Sequence, residues 1–180
     1  MHKILLTFSL LFFIQVQNNP VIFWSDNYRI TWDNFKAKPP SNVSAVATTA
    51  SGITFGFSIK QSDARVVSFT TEVYAHFYPE ESWYKPERAD DHILGHERLH
   101  FDITELFARK FRQRISVLKT TNDIAKRLKV IHKNINKELE AYQNQYDAET
   151  DYSRNVEGQW QWEVRIKNEL KVLERYKSTK

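Results

Sequence analysis

The chain has 180 residues, of which 41% are hydrophobic and 14% aromatic, and its formal net charge is +4. This length and composition favour one globular domain with its own core and exclude an intrinsically disordered chain. The charge is modest and no basic run stands out, so the sequence does not indicate nucleic-acid binding.

The N-terminus has the pattern of a targeting segment. Residues 1–3 are short and basic, residues 4–14 are apolar, and residues 15–19 are polar. The apolar run is too short to span a bilayer comfortably, so residues 1–19 are predicted to be a secretory signal peptide, or an N-terminal anchor if they are not removed. We therefore expect an exported protein, periplasmic or secreted, with membrane contact only through this segment. The chain has no cysteine, which excludes disulfide bonds.

The N-terminal half contains alternating patterns that are typical of β-strands. Residues 28–32 alternate over a short stretch and predict one strand. Residues 53–60 and 67–77 alternate for longer and are separated by a polar break, which predicts a hairpin with one buried face. The exposed edge of this hairpin is either a place for an extended peptide to pair or an edge that is merely capped.

Three helices are predicted after the hairpin. The first begins near Pro86, where acidic residues favour a helix start, and runs to about Val117. The second follows a break at residues 120–123, and the third begins near Asn155. An apolar stripe on the second helix is formed by Ile124, Leu128, Ile131, Ile135, Leu139, Tyr142 and Tyr146. The predicted fold class is α+β, with a small antiparallel sheet from the N-terminal half packed on the first helix and two further long C-terminal helices.

Residues 96–100 read His-Glu-Arg-Leu-His on the first predicted helix. His96 and His100 lie one turn apart on one helical face, so their imidazoles can bind one metal ion together. Neutral imidazoles suit zinc, although other divalent ions are also accepted, and we expect one ion per chain. Glu97 is placed to act as general base toward a water molecule on that ion. The alternative is a pair of core histidines that bond to backbone groups or carboxylates without a metal.

A catalytic zinc site usually has three protein ligands, so a third ligand is expected elsewhere in the chain. Helices joined by a short loop run antiparallel, which brings the second helix back to the level of the metal near Tyr142. Residues 146–152 follow about one turn later and contain three carboxylates and two phenols. By position along the helix, Asp147 and Glu149 are the best candidates for the third ligand. The alternative is that these carboxylates are exposed at the end of a helix.

Several segments carry a likeness to a known family. The sequence resembles a bacterial family of secreted zinc-dependent proteases, long classified as a domain of unknown function. The matching segments are ITWDNF at 30–35, residues 47–53, Ser82-Trp83, GHERLHFDITELFAR at 95–109, YDAET at 146–150, and the helix with Gln159 and Trp162. The resemblance implies a single zincin-like metallopeptidase domain over residues 20–180 that acts on a peptide or protein substrate.

The resemblance also implies roles for individual residues. His96 and His100 match the zinc ligands of the family, and Glu97 matches its catalytic base. Asp102 matches an acidic position of the family motif and is expected to orient another group near the metal.

One position departs from the family pattern. The family usually has a histidine two residues after the threonine of YDAET, and this chain has Tyr152 there. A phenol has an ordinary pKa of about 10, which makes it a reluctant zinc ligand. Either Tyr152 binds the metal, or another residue replaces it, or the site is impaired and the protein is a non-catalytic binding protein of the same fold. The replacement candidates are Glu149, Asp147 and Asp151.

Overall fold

The computed structural model describes residues 20–178, and the predicted targeting segment lies outside this range. In chain order the strands and helices are β1 (Ile22–Phe23), β2 (Ala47–Thr48), β3 (Ser51–Ser62), β4 (Arg65–Phe77), β5 (Trp83–Tyr84), α1 (Asp91–Ser116), α2 (Ile124–Glu149) and α3 (Val156–Val172). The α+β class is confirmed, with a small antiparallel sheet first and three helices after it. Among the described helices, none combines the length and apolarity that crossing a membrane requires.

The predicted hairpin is confirmed by β3 and β4, which pair antiparallel from Ser51 opposite Phe77 to Ser62 opposite Arg65. The turn between them places Asp63 at a φ of 53°, in the left-handed region that aspartate tolerates better than most residues. Strand β1 pairs with the other side of β4, so the order is β1-β4-β3 and β3 is an edge strand. Strands β2 and β5 form a separate two-stranded pair.

The predicted strand at residues 28–32 is wrong, because the chain turns there into a short 3-10 helix at Trp32–Asn34. The side-chain oxygen of Asn34 accepts a hydrogen bond from the Thr31 amide at 2.8 Å and another from the Tyr28 hydroxyl at 3.0 Å. The Thr31 amide thus finds its acceptor in a nearby side chain, whereas in an extended strand it would need a partner strand. Trp32 instead stacks on Tyr84, with 4.5 Å between the ring centroids.

Helix α1 begins at Asp91, five residues later than Pro86, where the sequence predicts its start. The Asp90 carboxylate accepts a hydrogen bond from the Ile93 amide at 2.8 Å and caps the helix, whereas the backbone of residues 85–89 forms turns around the Lys85 carbonyl. The sheet, α2 and α3 all pack against α1, and every residue from Leu99 to Arg109 is buried. The polar side chains of α1 must therefore find partners inside the protein.

The second and third helices follow the sequence prediction closely. On α2, five positions of the apolar stripe are buried and Ile131 and Tyr142 are partly buried. Asn155 caps α3 by accepting a hydrogen bond from the Gly158 amide. Contacts between α1 and α2 run from Arg114–Glu138 at one end to His100–Asp147 at the other, so the two helices are antiparallel.

A buried ion cluster lies further along α1, one to two turns beyond the two histidines. The Glu105 carboxylate accepts hydrogen bonds from Arg109 at 2.9 Å and from Arg112 at 3.1 and 3.2 Å. The side chains of Glu105 and Arg109 are each only 1% exposed. Arg109 also donates to the Leu170 carbonyl, so the cluster ties the end of α3 to α1.

We predict that Glu105→Gln lowers the free energy of unfolding by about 3–5 kcal/mol, because it removes the buried carboxylate between Arg109 and Arg112 and leaves Arg109 with only the exposed Glu174 as an ion-pair partner. Glu138→Gln is the matched control, since Glu138 makes a similar two-oxygen contact with Arg114 of α1 but is exposed. Glu138→Gln should lower the free energy of unfolding by only about 0–1 kcal/mol. Denaturant unfolding measures both values, and equal losses would contradict the assignment.

Candidate metal centre

Three side chains from two helices meet at the N-terminal half of α1. His96 and His100 project from one face of α1, and Asp147 projects from the last turn of α2. The Asp147 Oδ1 atom lies 3.1 Å from the Nε2 atom of His96 and 3.0 Å from that of His100. The two Nε2 atoms are 3.2 Å apart. Both histidines are buried and Asp147 is partly exposed.

The size of this triangle matches a zinc site. Zinc binds nitrogen and carboxylate oxygen at about 2.0–2.2 Å, and in a tetrahedral site neighbouring ligand atoms are therefore about 3.3 Å apart. The three observed separations, 3.0, 3.1 and 3.2 Å, lie close to that value. His96, His100 and Asp147 thus fit the donor set and spacing of three protein ligands.

The outer nitrogen of each imidazole is bonded to a glutamine oxygen. The Nδ1 atom of His96 lies 3.1 Å from Gln159 Oε1, and that of His100 lies 2.7 Å from Gln143 Oε1. An amide oxygen only accepts, so both Nδ1 atoms donate and both Nε2 lone pairs of the neutral rings face Asp147. Three acceptor atoms then point at one another, and only a cation between them or an extra proton on an imidazole relieves their repulsion.

The pKa shifts at the centre show the same attraction for positive charge. Burial lowers the pKa of His100, but the hydrogen bond to Asp147 and the charge of Glu97 outweigh burial and raise this pKa above its usual value. Burial raises the pKa of Asp147, but the hydrogen bonds that protonated His100 and His96 donate to it, with their charges, outweigh burial and hold this pKa well below the usual range. Both shifts thus favour added positive charge at the centre.

Glu97 sits beside this triangle in the same turn of α1 and is only 5% exposed. Its Oε2 atom is buried and has no hydrogen-bond partner among the described residues. Its backbone carbonyl accepts from the Thr49 hydroxyl at 3.1 Å, which anchors this turn of the helix to the sheet side. Because a buried carboxylate oxygen without a partner is costly, Glu97 is suited to a partner that binds from outside the chain.

The structure does not bring the other three candidate ligands to the histidine pair. Glu149 accepts from the Trp162 indole at 2.8 Å, and Asp151 pairs with Arg154 at 2.5 Å. Tyr152 is 64% exposed, and the Arg154 guanidinium lies over its ring. Asp147 is thus the one residue of the predicted segment 146–152 whose carboxylate reaches both imidazoles.

A left-handed turn explains why the chain leaves the centre after Asp147. Asp151, Tyr152 and Ser153 have φ values of 48°, 53° and 74°. The Tyr152 amide donates to the Asp147 carbonyl, and the Ser153 carbonyl lies 2.6 Å from the His92 Nε2 atom, which donates to it. These bonds end α2 directly after the Asp147 turn and direct the Tyr152 side chain to the surface.

The expectation that Asp102 orients a group near the metal does not match its contacts. Its two carboxylate oxygens accept from the Trp24 indole and from Arg29, each at 2.7 Å. Asp102 therefore fastens the N-terminal segment to α1, on a face turned away from the histidines.

The groups that orient the two imidazoles were missed in the sequence. Gln143 lies four residues before Asp147, one turn along the same face of α2, which is the signal that could have identified it. Gln159 lies in the helix of the family likeness but carried no predicted role. Tyr146, predicted as part of the apolar stripe of α2 and as one of the two phenols of residues 146–152, stacks on the His96 ring at 4.6 Å and donates to Gln159 at 2.7 Å. Burial raises the Tyr146 pKa far above its usual value, so this phenol stays protonated.

Comparison with known proteins places the chain in a family without assigning an activity. Residues 27–154 match the family described as bacterial protein of unknown function (DUF922), and because this match covers most of the chain, the protein belongs to that family. The matched region contains the hairpin, α1, α2 and all three residues of the triangle. A search of curated proteins found no match. A search of solved structures found none either.

We predict that Asp147→Asn weakens zinc binding by more than about 100-fold, because loss of an outer partner alone costs about 10–100-fold and Asp147 is in direct reach of the ion. Competition with a chromogenic chelator measures the affinity. Asp151→Asn is the matched control, and Tyr152→Phe tests the phenol. Both should bind zinc like the unmodified chain, and a large loss in Tyr152→Phe would contradict the assignment of Asp147.

Proposed function

We propose that the protein is an exported zinc-dependent metallopeptidase. The observation that carries this proposal is the triangle of His96 Nε2, His100 Nε2 and Asp147 Oδ1 beside the buried, unpartnered carboxylate oxygen of Glu97. His96, His100 and Asp147 would hold one zinc ion. A bound zinc ion supplies a Lewis acid that polarises a carbonyl and makes water acidic near neutral pH.

The remaining chemistry is assigned to residues of the chain. Glu97 accepts the proton from the attacking water on its Oε2 atom, and burial of the carboxylate keeps bulk solvent away from this proton. Gln143 and Gln159 hold the two rings with their Nε2 lone pairs turned inward, a role that outer partners commonly have at metal sites. Tyr146 supports the arrangement by stacking on His96 and bonding to Gln159.

A peptide substrate is supported by the family resemblance and by the sheet. β3 is an edge strand of the described sheet, so its outer side can pair with an extended chain. The start of β3 lies close to the centre, since Ser51 shares a hydrogen bond with Thr104 of α1 at 2.7 Å. Thr49, two residues earlier, bonds to the carbonyl of Glu97. A peptide paired with this edge would thus run toward Glu97.

The alternative of a non-catalytic binding protein was motivated by Tyr152. The position of Asp147 argues against that motive, because its carboxylate already lies 3.1 Å from His96 and 3.0 Å from His100 and offers a third ligand without Tyr152. A second alternative is that a protonated His100 bonds to Asp147 and no metal is held. Zinc content distinguishes this case from the proposal before any assay of activity.

We predict that Glu97→Gln lowers turnover by about 10²–10⁴-fold, because general base catalysis contributes that much, and leaves zinc content at one ion per chain. Cleavage of unfolded, fluorescently labelled casein by the full chain measures turnover. Metal analysis of the same samples measures zinc.

Glu140→Gln is the control, because Glu140 is an exposed glutamate on α2. It should retain both turnover and zinc. Loss of zinc in Glu97→Gln would make Glu97 a structural member of the site, and unchanged turnover would remove it from the mechanism. Absence of zinc from the unmodified chain, even after zinc is supplied, would favour the protonated histidine pair and overturn the proposed function.

A further inference from the structure

Helix α2 carries its charges in two separate halves. Residues 124–137 contain five lysines and arginines and no acidic residue, whereas residues 138–149 contain four acidic residues and no lysine or arginine. The first turn has no acidic residue and the last turn has no basic residue. The helix dipole favours the opposite arrangement, so helix stability does not explain this pattern.

Contacts within the chain explain much of the acidic half but not the basic half. Glu138 pairs with Arg114, Asp147 lies at the metal centre, and Glu149 bonds to Trp162. By contrast, the ion pairs of lysines within residues 20–178 are those of Lys110 and Lys177. The lysines of α2 therefore lie at the surface without an ion pair among the described residues, and the nearby carboxylate of Asp123 interacts with Lys126 alone of these lysines.

These lysines form one continuous surface. The exposed residues Lys126, Lys129, Lys133 and Lys137 are spaced three or four apart and lie opposite the buried stripe of α2, and Val130 is exposed next to Lys129. We call the surface formed by these five residues the basic face. A shallow groove of about 530 Å³ runs along it, lined by Ala125, Val130 and the first three of these lysines. Val130 is 50% exposed beside these lysines. The basic face thus combines a small apolar floor with a rim of lysines.

We propose that the basic face binds the surface of a bilayer that contains anionic phospholipid. Lysine ammonium groups are attracted to anionic headgroups, and their long stems let the backbone of the helix approach the interface. The apolar floor between the lysines would sit at the boundary between headgroups and acyl chains, as in helices that lie on membranes. This binding surface is separate from residues 1–19 and would act whether or not those residues are removed.

Two other occupants fit the basic face less well. In a dimer of two copies of the chain, the basic face of one copy would lie against the basic face of the other. Each face has four lysines and one nearby acidic side chain, Glu140, so the like charges would repel. A nucleic acid would engage the lysines but would gain little from the apolar floor, since phosphate contacts dominate such binding. The combination of lysines and exposed valine favours the bilayer.

The basic face is far from the metal centre. Lys129 and Asp147 are eighteen residues apart on one helix, which is about 27 Å along its axis. Changes at the basic face should therefore leave zinc content unaltered, and the inference does not depend on the proposed peptidase activity.

Flotation with lipid vesicles tests the inference on the full chain. One set of vesicles contains phosphatidylcholine alone, and the other contains phosphatidylcholine with one quarter phosphatidylglycerol. The readout is the ratio of binding to the two sets, because any contribution of the apolar residues 4–14 to binding is common to both. We expect a clear preference for anionic vesicles that declines as salt is raised.

The variant with Lys126, Lys129 and Lys133 changed to Gln should lose roughly 100-fold of this preference, since each lysine near an anionic surface contributes about fivefold. The matched control changes three other exposed lysines without ion pairs, Lys38, Lys167 and Lys171, and should keep the preference. Both variants should show the thermal unfolding and zinc content of the unmodified chain.

Three results would overturn the inference. The first is equal binding to the two sets of vesicles by the unmodified chain. The second is an equal loss in the control variant, which would make the effect one of net charge. The third is tighter binding of duplex DNA than of anionic vesicles at the same salt, with loss in the same triple variant, which would assign the basic face to nucleic acid. Val130→Ser adds a discriminating arm, because it should weaken binding to vesicles and leave binding to DNA unchanged.

Discussion

The structure depends on the burial of α1 between the sheet and the other two helices. A helix enclosed on all sides is usually apolar, yet α1 carries histidines, carboxylates and arginines along its length. Burial obliges each of these groups to find a partner, and the partners come from every element around the helix. Asp102 is satisfied by the N-terminal segment, Glu105 by two arginines, and Thr104 by β3 and α2.

The candidate metal centre at residues 96–100 differs from the other buried polar groups of α1, which are paired within the protein. Its Nδ1 atoms are satisfied by glutamines, but the inner Nε2 atoms face each other and a carboxylate. Glu97 adds a buried oxygen without a partner among the described residues. Among the described residues of α1, Glu97 Oε2 is the one buried side-chain atom without a hydrogen-bond partner, and this contrast supports a site that a ligand completes.

The two long helices also divide the surface of the protein into regions with different chemistry. Antiparallel packing of α1 and α2 puts the acidic end of α2 beside the histidines and the basic end near the C-terminal end of α1. One helix therefore contributes both to the candidate metal centre and to the basic face, separated by most of its length. Under the two proposals, the metal centre would act on a peptide while the basic face binds the surface of a membrane.

Local patterns in the sequence determined much of this architecture. The alternation at residues 53–60 and 67–77 fixed the hairpin, and the stripe beginning at Ile124 fixed the buried face of α2, because both depend on periodicity along a single element. The spacing of His96 and His100 likewise placed two imidazoles on one face. Residues 28–32 were mispredicted because a single side chain, Asn34, outweighed the alternating pattern.

Only the tertiary structure shows which of the carboxylates and phenols of residues 146–152 reaches the two histidines. Position along the helix left Asp147 and Glu149 equal, and family likeness drew attention to Tyr152, but the left-handed turn after α2 sends Tyr152 outward and leaves Asp147 facing the histidines. The roles of Gln143 and Gln159 were hidden for the same reason, because each depends on contact with a histidine of another helix. Sequence determines which groups share an element, whereas contacts between elements depend on how helices of the whole fold pack around α1.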